Sequence, residues 1–454
     1  MPVVPNWDHP ATGFIKRQAD CGTTIESNIM AVTMPFASCW EWLMRPVSVG
    51  LYALTGDAIR LLRDLQSPQL LLRSGVMAVT QTLPLERPGA SAPGVSPAAL
   101  PASDRLYRPQ LDALRFFAFF SVFLFHATRI LKLTGPLGAL TDAGAYGMCV
   151  FFILSSYLIT SLLIRERAKF GKIHVKDFYI RRALRIWPLY FTFLGFNYVV
   201  GHFAHSLYLE TPRLLAFLFM IGNWYVASAG FGTSPIYPLW SISLEEQFYL
   251  VWPALVSRSR TFLLWASWAL VPISLGSVYL LVVRGATPDQ IWVNSFAQFL
   301  FFACGSLLAL AESRNAFGTH GARGLLLLAA GFGSWWAIET AFHIKAKTAL
   351  VGAMPFTVGY VAIALSCLAI LYGALNIPAR FVPSWLTYLG KISYGLYVFH
   401  TFWPSHLGVF QSWPLRTAAS LTATIICAAL SYRFLERPFL ALKHRFEFVH
   451  SRPE

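Results

Sequence analysis

Ten apolar stretches of near-membrane length recur along this 454-residue chain, at about 111–132, 145–164, 186–204, 240–257, 262–283, 291–311, 323–342, 349–374, 389–409 and 416–434. A hydrocarbon core about 30 Å thick takes about 20 apolar residues per helix, and within it a lipid-exposed backbone must satisfy its own hydrogen bonds. A bundle of helices meets both demands. Composition agrees, since 56% of the residues are hydrophobic and 13% charged, too apolar for a soluble domain. The expected fold class is an all-α polytopic membrane protein with about ten transmembrane helices.

Charge sets the expected orientation. Lys and Arg number 36 against 21 Asp and Glu, but they gather in short loops beside apolar runs, which is positive-inside patterning rather than a nucleic-acid surface. The loop 165–185 carries Arg165, Arg167, Lys169, Lys172, Lys176, Arg181, Arg182 and Arg185, whereas 133–144 has no Lys or Arg. A shorter apolar run at 213–226 decides the count. If it does not cross, Arg258, Arg260, Arg314, Arg323, Arg380 and the tail residues Arg437, Lys443, His444 and Arg445 all join the cytosolic side. Ten crossings with both termini cytosolic is the better solution, with Lys345 and Lys347 as exposed exceptions.

Before the first span, residues 1–84 form an N-terminal extension. Asp8, His9, Lys16, Arg17 and Asp20 interrupt any signal-peptide core. Between Trp40 and Met77 apolar residues alternate with Arg45, Asp57, Arg60, Arg63 and Asp64, as in a helix lying on a membrane surface or a disordered leader. A Pro/Ala-rich linker, 85–104, leads to the membrane domain at 105–438 and a basic cytosolic tail at 439–454. Cys21, Cys39, Cys149, Cys304, Cys367 and Cys427 lack C-x-x-C or metal-ligand spacing, so neither a disulfide framework nor a metal site is expected.

Four constellations carry candidate chemistry. Arg115 and His126 interrupt the first apolar run, where a charge costs at least a few kcal/mol. Eleven positions return the two side chains to within roughly 20° of one helical face, about 16 Å apart, so they look into one interior seam. A neutral imidazole there is a proton acceptor for a hydroxyl, and the guanidinium holds an anion or orients a partner; the plain alternative is a polar pair joining helices. Arg181 and Arg185, with Arg182 between them, stand at the cytosolic mouth of the third span, at a spacing that suits a phosphate clamp or ordinary positive-inside anchoring. Glu245 and Glu246 lie at the outer start of the fourth span. Adjacent helical residues point about 100° apart, so one of them faces the seam, with Ser241 or Ser243 as a helix cap. Lys391, Tyr394 and Tyr397 suit snorkelling and packing, and His400 is open to either role.

In order along the chain, these segments resemble the acyltransferase-3 family of membrane-bound bacterial O-acyltransferases. Arg115 and His126 match that family's Arg and His separated by ten intervening residues, and Phe151-Phe152-Ile153-Leu154-Ser155-Ser156 its Phe-Phe-x-Leu-Ser-Gly. Phe178-Tyr179-Ile180-Arg181-Arg182-Ala183-Leu184-Arg185-Ile186-Trp187-Pro188-Leu189-Tyr190 fits completely. So do Trp240-Ser241 through Glu245-Glu246-Gln247-Phe248-Tyr249, Gly390 through His400, and Glu436-Arg437-Pro438. Ser156 replaces the family's glycine, which puts local helix approach in question.

The resemblance implies acyl transfer, most often of acetyl, from acyl-CoA to a hydroxyl of a cell-surface glycan or glycolipid in the bacterial inner membrane. His126 would be the general base with Arg115 positioning it or the donor, Glu245 and Glu246 would join the catalytic set, and Arg181, Arg182 and Arg185 would hold the donor. Acyl-CoA is then a substrate rather than a bound cofactor, with membrane lipid and glycan as partners and no nucleic acid. From the residues alone, a transporter or flippase of a glycan or lipid precursor is the alternative, since buried Arg, His and Glu also suit a permeation path.

Overall fold

The structure is a computed structural model that describes residues 107–447, apart from 132, 204–208, 233, 315–319, 346–350 and 408–411. The N-terminal extension, the whole linker, Cys21, Cys39, Lys347 and the end of the tail lie outside the described residues. Among the described residues every element is helical. Seven helical stretches are long and apolar enough to cross a membrane.

The first helix, α1 (Pro109–Thr128), opens with proline in its first turn and Asp112 near its positive end. A short α2 (Gly135–Asp142) leads to α3 (Gly147–Phe170), which stops at Gly171 in the left-handed region, φ 72°. Arg167 and Lys169 occupy the last turn of α3, where the helix dipole favours cations. Next comes α4 (Val175–Gly201), followed by two eight-residue helices, α5 (Thr211–Leu218) and α6 (Gly222–Ala229). At 1.5 Å per residue each of these reaches about 12 Å. The apolar run 213–226 is therefore broken, with Met220 at φ 57° between the halves.

Longer helices then follow: α7 (Trp240–Ser257), α8 (Arg260–Val283), the short α9 (Pro288–Val293), α10 (Ser295–Glu312), α11 (Gly321–Phe342) and α12 (Ala353–Asn376). Arg260 donates to the Leu310 carbonyl at 2.9 Å and to Ser313 at 2.8 Å, binding the end of α10 to the start of α8. The expected span at 389–409 is not one helix but three: α13 (Ser384–Lys391), α14 (Ser393–Phe399) and α15 (Phe402–His406). Its first break lies beside Gly390, where a Cβ would stand 2.0 Å from the Asp112 carbonyl oxygen. The chain turns where it passes closest to α1. Last are α16 (Trp413–Ser431), a single π turn at Tyr432–Glu436, and α17 (Arg437–Lys443).

The core is centred on α3, which packs against α1, α7, α10 and α12. Phe302 of α10 stacks on Phe152 at 5.0 Å and meets Phe248 of α7 at 4.4 Å. Where α3 and α10 cross, a Cβ on Gly305 would come within 2.1 Å of both the Ile153 carbonyl oxygen and Ser156 Oγ. Close approach at Ser156 therefore depends on the missing side chain across from it. Large apolar residues such as Leu250, Trp265, Leu325, Leu326 and Phe434 stay exposed, as a lipid-facing perimeter requires.

Candidate active site

Two cavities meet inside the bundle, and their walls share Met148 of α3 and Tyr397 of α14. One, of about 880 Å³, is lined by Arg108, Arg181, Arg182, Arg185, Lys391, Arg433, Arg437 and Lys443. The other, of about 670 Å³, is lined by His126, Arg129, Asp289, Lys345 and Arg416. We refer to them as the basic and the far cavity. Tyr397 braces the wall between them, donating to the Pro238 carbonyl at 2.7 Å and pairing with Ser241 Oγ at 2.8 Å.

Helix α1 serves both cavities. Arg115 opens into the basic cavity and His126 into the far one. The seam expected from their shared face exists, but its two ends are separate chambers. Arg115 leans toward Asp112 at 3.9 Å, so it is placed to meet a molecule in the basic cavity rather than the His126 ring. The histidine ring instead faces His400, with centroids 5.0 Å apart. His400 is fully buried, its Nδ1 2.5 Å from the Tyr397 carbonyl oxygen and its Nε2 without a partner. A carbonyl only accepts, so Nδ1 carries the proton and Nε2 a free lone pair.

The two glutamates separate as helical geometry requires. Glu245 lies about 7.5 Å into α7 and faces the basic cavity, not the outer mouth, held by Ser155 at 3.0 Å and Tyr249 at 2.6 Å. Glu246 is absent from both linings and keeps a buried Oε1 without a partner. The serine cap expected for α7 does not form. A 3-10 turn, Tyr237–Leu239, runs straight into the helix, and Ser241 and Ser243 bond back to the Pro238 and Leu239 carbonyls instead.

The three arginines of α4 are not equivalent. Arg181 is buried, paired with Glu166 at 2.9 Å and donating to the Phe446 carbonyl at 2.7 Å. The ion pair with Glu166 fixes its geometry. Arg182 lies over the rings of Phe178 and Tyr249 at 5.6 and 5.5 Å. Arg185 lines the same cavity with Lys443 and Glu436.

Several lining residues escaped the sequence. Lys345, expected exposed, is buried against Asp289 at 3.0 Å and over the Trp292 ring at 4.7 Å. Its signal was its violation of the charge bias. Arg129 and Arg416 carry the same signal on the same cavity.

Residues 108–433 match the acyltransferase domain of the acyltransferase-3 family. The chain is 28% identical over 362 residues to the peptidoglycan O-acetyltransferase OatA of Listeria monocytogenes, covering 74% of this chain and 56% of that protein. It is likewise 28% identical over 368 residues to the putative peptidoglycan O-acetyltransferase YrhL of Bacillus subtilis, covering 73% and 55%. A putative O-acetyltransferase of Staphylococcus aureus shows 28% identity over 363 residues, with 73% and 57% covered. The chain thus matches little more than half the length of these relatives. No solved structure matches it.

Proposed function

Because this chain belongs to the acyltransferase-3 family, we propose that it transfers an acyl group, acetyl in the first instance, from acyl-CoA to a hydroxyl of a cell-surface glycan or glycolipid. The observation that carries this reading is the pair of cavities back to back at Tyr397 and Met148, one cationic and one holding His126. Acyl-CoA is polyanionic and enters the basic cavity, where Arg182 and Arg185 meet its phosphates and Arg115 its pantetheine arm, so that the thioester reaches the junction with the far cavity at Met148 and Tyr397. The acceptor enters the far cavity. There His126 removes the hydroxyl proton as the oxygen attacks the acyl carbonyl, and the CoA thiolate leaves.

In this proposal the chain crosses the bacterial inner membrane ten times, with α4, α7 and the broken helices α13 to α15 joining the seven most apolar stretches. The basic cavity and both termini then face the cytosol, where acyl-CoA is made. The named relatives point to peptidoglycan as the first acceptor to try. Purified protein in proteoliposomes, given radiolabelled acetyl-CoA and peptidoglycan fragments, should yield labelled glycan. Two opposed cavities also suit a transporter, which would move unmodified glycan and leave the label on CoA.

A further inference from the structure

The charge of the far cavity bears on what it binds. Its lining holds three cations, Arg129, Lys345 and Arg416, against the single carboxylate of Asp289. Asp289 pairs with Lys345 at 3.0 Å, while Arg129 stands exposed over the Phe125 ring at 5.2 Å and Arg416 lines the same space. Arg129 follows His126 by three residues, about one helical turn, so both face the same side. Arg416 donates from Nη2 to the Pro404 carbonyl, while its Nε is buried with no partner. A buried guanidinium N–H without an acceptor is unfavourable unless a ligand oxygen completes it.

We propose that the molecule bound in this cavity carries an anionic group, a carboxylate or a phosphate, held by Arg416 and Arg129 near the hydroxyl that faces His126. The inference rests on the proposed reaction only in calling that molecule the acceptor. A guanidinium fork matches either anion with paired N–H donors. In a cavity walled by Trp292, Tyr237 and Trp413, the reduced dielectric strengthens such contacts over their value in water. A neutral glycan would leave both guanidinium groups of the lining without an anion. In the proposed topology all three cations also lie on the face that positive-inside patterning leaves poor in Lys and Arg, so retention for membrane anchoring does not account for them. Lys345 and Asp289, closed as a pair on Trp292, are suited to sugar hydroxyls rather than to the anion.

The test is a binding measurement without turnover, on the full chain in nanodiscs. Three probes share one backbone: the disaccharide of N-acetylglucosamine and N-acetylmuramic acid, the same disaccharide with its carboxylate reduced to the alcohol, and the 1-phosphate of the reduced form. One or both anionic probes should bind at least about tenfold more tightly than the neutral one, and the tighter of the two identifies the source of the charge. Arg416→Gln and Arg129→Gln should each shrink that preference. Equal affinity of the unmodified protein for all three probes overturns the proposal, as does full preference retained in both variants. Because the probe comparison uses the unmodified protein, a variant that fails to fold does not rescue the idea. A protein that discriminates the probes but never acylates them would refute the proposed reaction and leave this site standing.

Discussion

The imidazoles of His126 and His400 face each other with centroids 5.0 Å apart and planes inclined at 59°, although one comes from the first helix and the other from the broken segment near the end of the domain. Tyr397 holds the second ring by its carbonyl, so the bare Nε2 of His400 is fixed in a known tautomer. A fixed lone pair beside a proposed base is available to the imidazolium that forms when that base takes a proton. His126 is thus the ring open to the far cavity, and His400 the ring behind it.

Replacing the two histidines should therefore give different defects. His126→Ala removes the proton acceptor and is expected to lower turnover about 100- to 10,000-fold. His400→Ala leaves that acceptor in place but unsupported, so a smaller loss in kcat is expected, with acceptor KM little changed. Turnover is to be compared with the amount of folded, inserted protein. Near-parental turnover in a well-folded His126→Ala preparation would refute the assignment of the base.

The arginines of α4 divide into structural and donor-binding members. Removing Arg181 leaves the buried Glu166 carboxylate with His174 alone, whose backbone N–H donates to it at 2.8 Å and whose ring lies 3.2 Å away, a loss of up to about 3–5 kcal/mol. Arg181→Ala should thus lower thermal stability and yield, and Glu166→Gln in the same chain should restore part of both. Arg185→Ala should instead raise the KM for acyl-CoA by roughly 10- to 150-fold with kcat nearly kept, because a clamp on remote phosphates binds ground and transition states alike. Lysine at 185 should rescue only in part. Unchanged donor KM in Arg185→Ala would leave that arginine as a membrane anchor.

What the sequence made legible follows from what each signal physically reports. Arg115 and His126 stood out because lipid penalises any ionisable group, whatever the fold, and α1 places both on the internal seam. The stretches giving α7 and α8 were found to within a few residues, since length and apolarity are local. The break in 389–409 was not visible, because it arises where Gly390 passes the Asp112 backbone, a contact between distant segments. Lys345 was misplaced for the same reason: its partner Asp289 belongs to α9, far away in the sequence. Likewise the spacing of Arg181 and Arg185 suggested two equal prongs, yet Glu166 had already claimed one. The serine cap failed through a different cause, a 3-10 turn that removed the free helix start.

The crossing of α3 and α10 is expected to tolerate one substitution and reject its mirror. Ser156 sits at the contact with its Oγ bonded to the Ile153 carbonyl at 3.1 Å, and Gly305 gives it room. Ser156→Gly, which restores the family residue, should leave stability and activity close to the parent. Gly305→Ala drives a methyl into a backbone carbonyl and should destabilise by about 1–3 kcal/mol or more. Midpoints of thermal inactivation in detergent would show the contrast. Equal midpoints for Gly305→Ala and the parent would mean that the helices separate freely at this crossing.

Topology offers the remaining test, because the donor route depends on which face the basic cavity opens to. A reporter fused within 165–185 should be cytosolic, and one within 133–144 should lie across the membrane, as the contrast of eight basic residues with none demands. The segment 213–226 should not carry a reporter across by itself, since α5 and α6 are each about 12 Å long and a bilayer core is about 30 Å thick. The far cavity adds a check independent of loop charge. A cysteine introduced at Thr417, which lines that cavity, should react with an impermeant thiol reagent added outside intact spheroplasts, and one at Lys391 in the basic cavity only after the membrane is opened. The reverse pattern would place acyl-CoA on the wrong side of the protein and overturn the proposed direction of transfer.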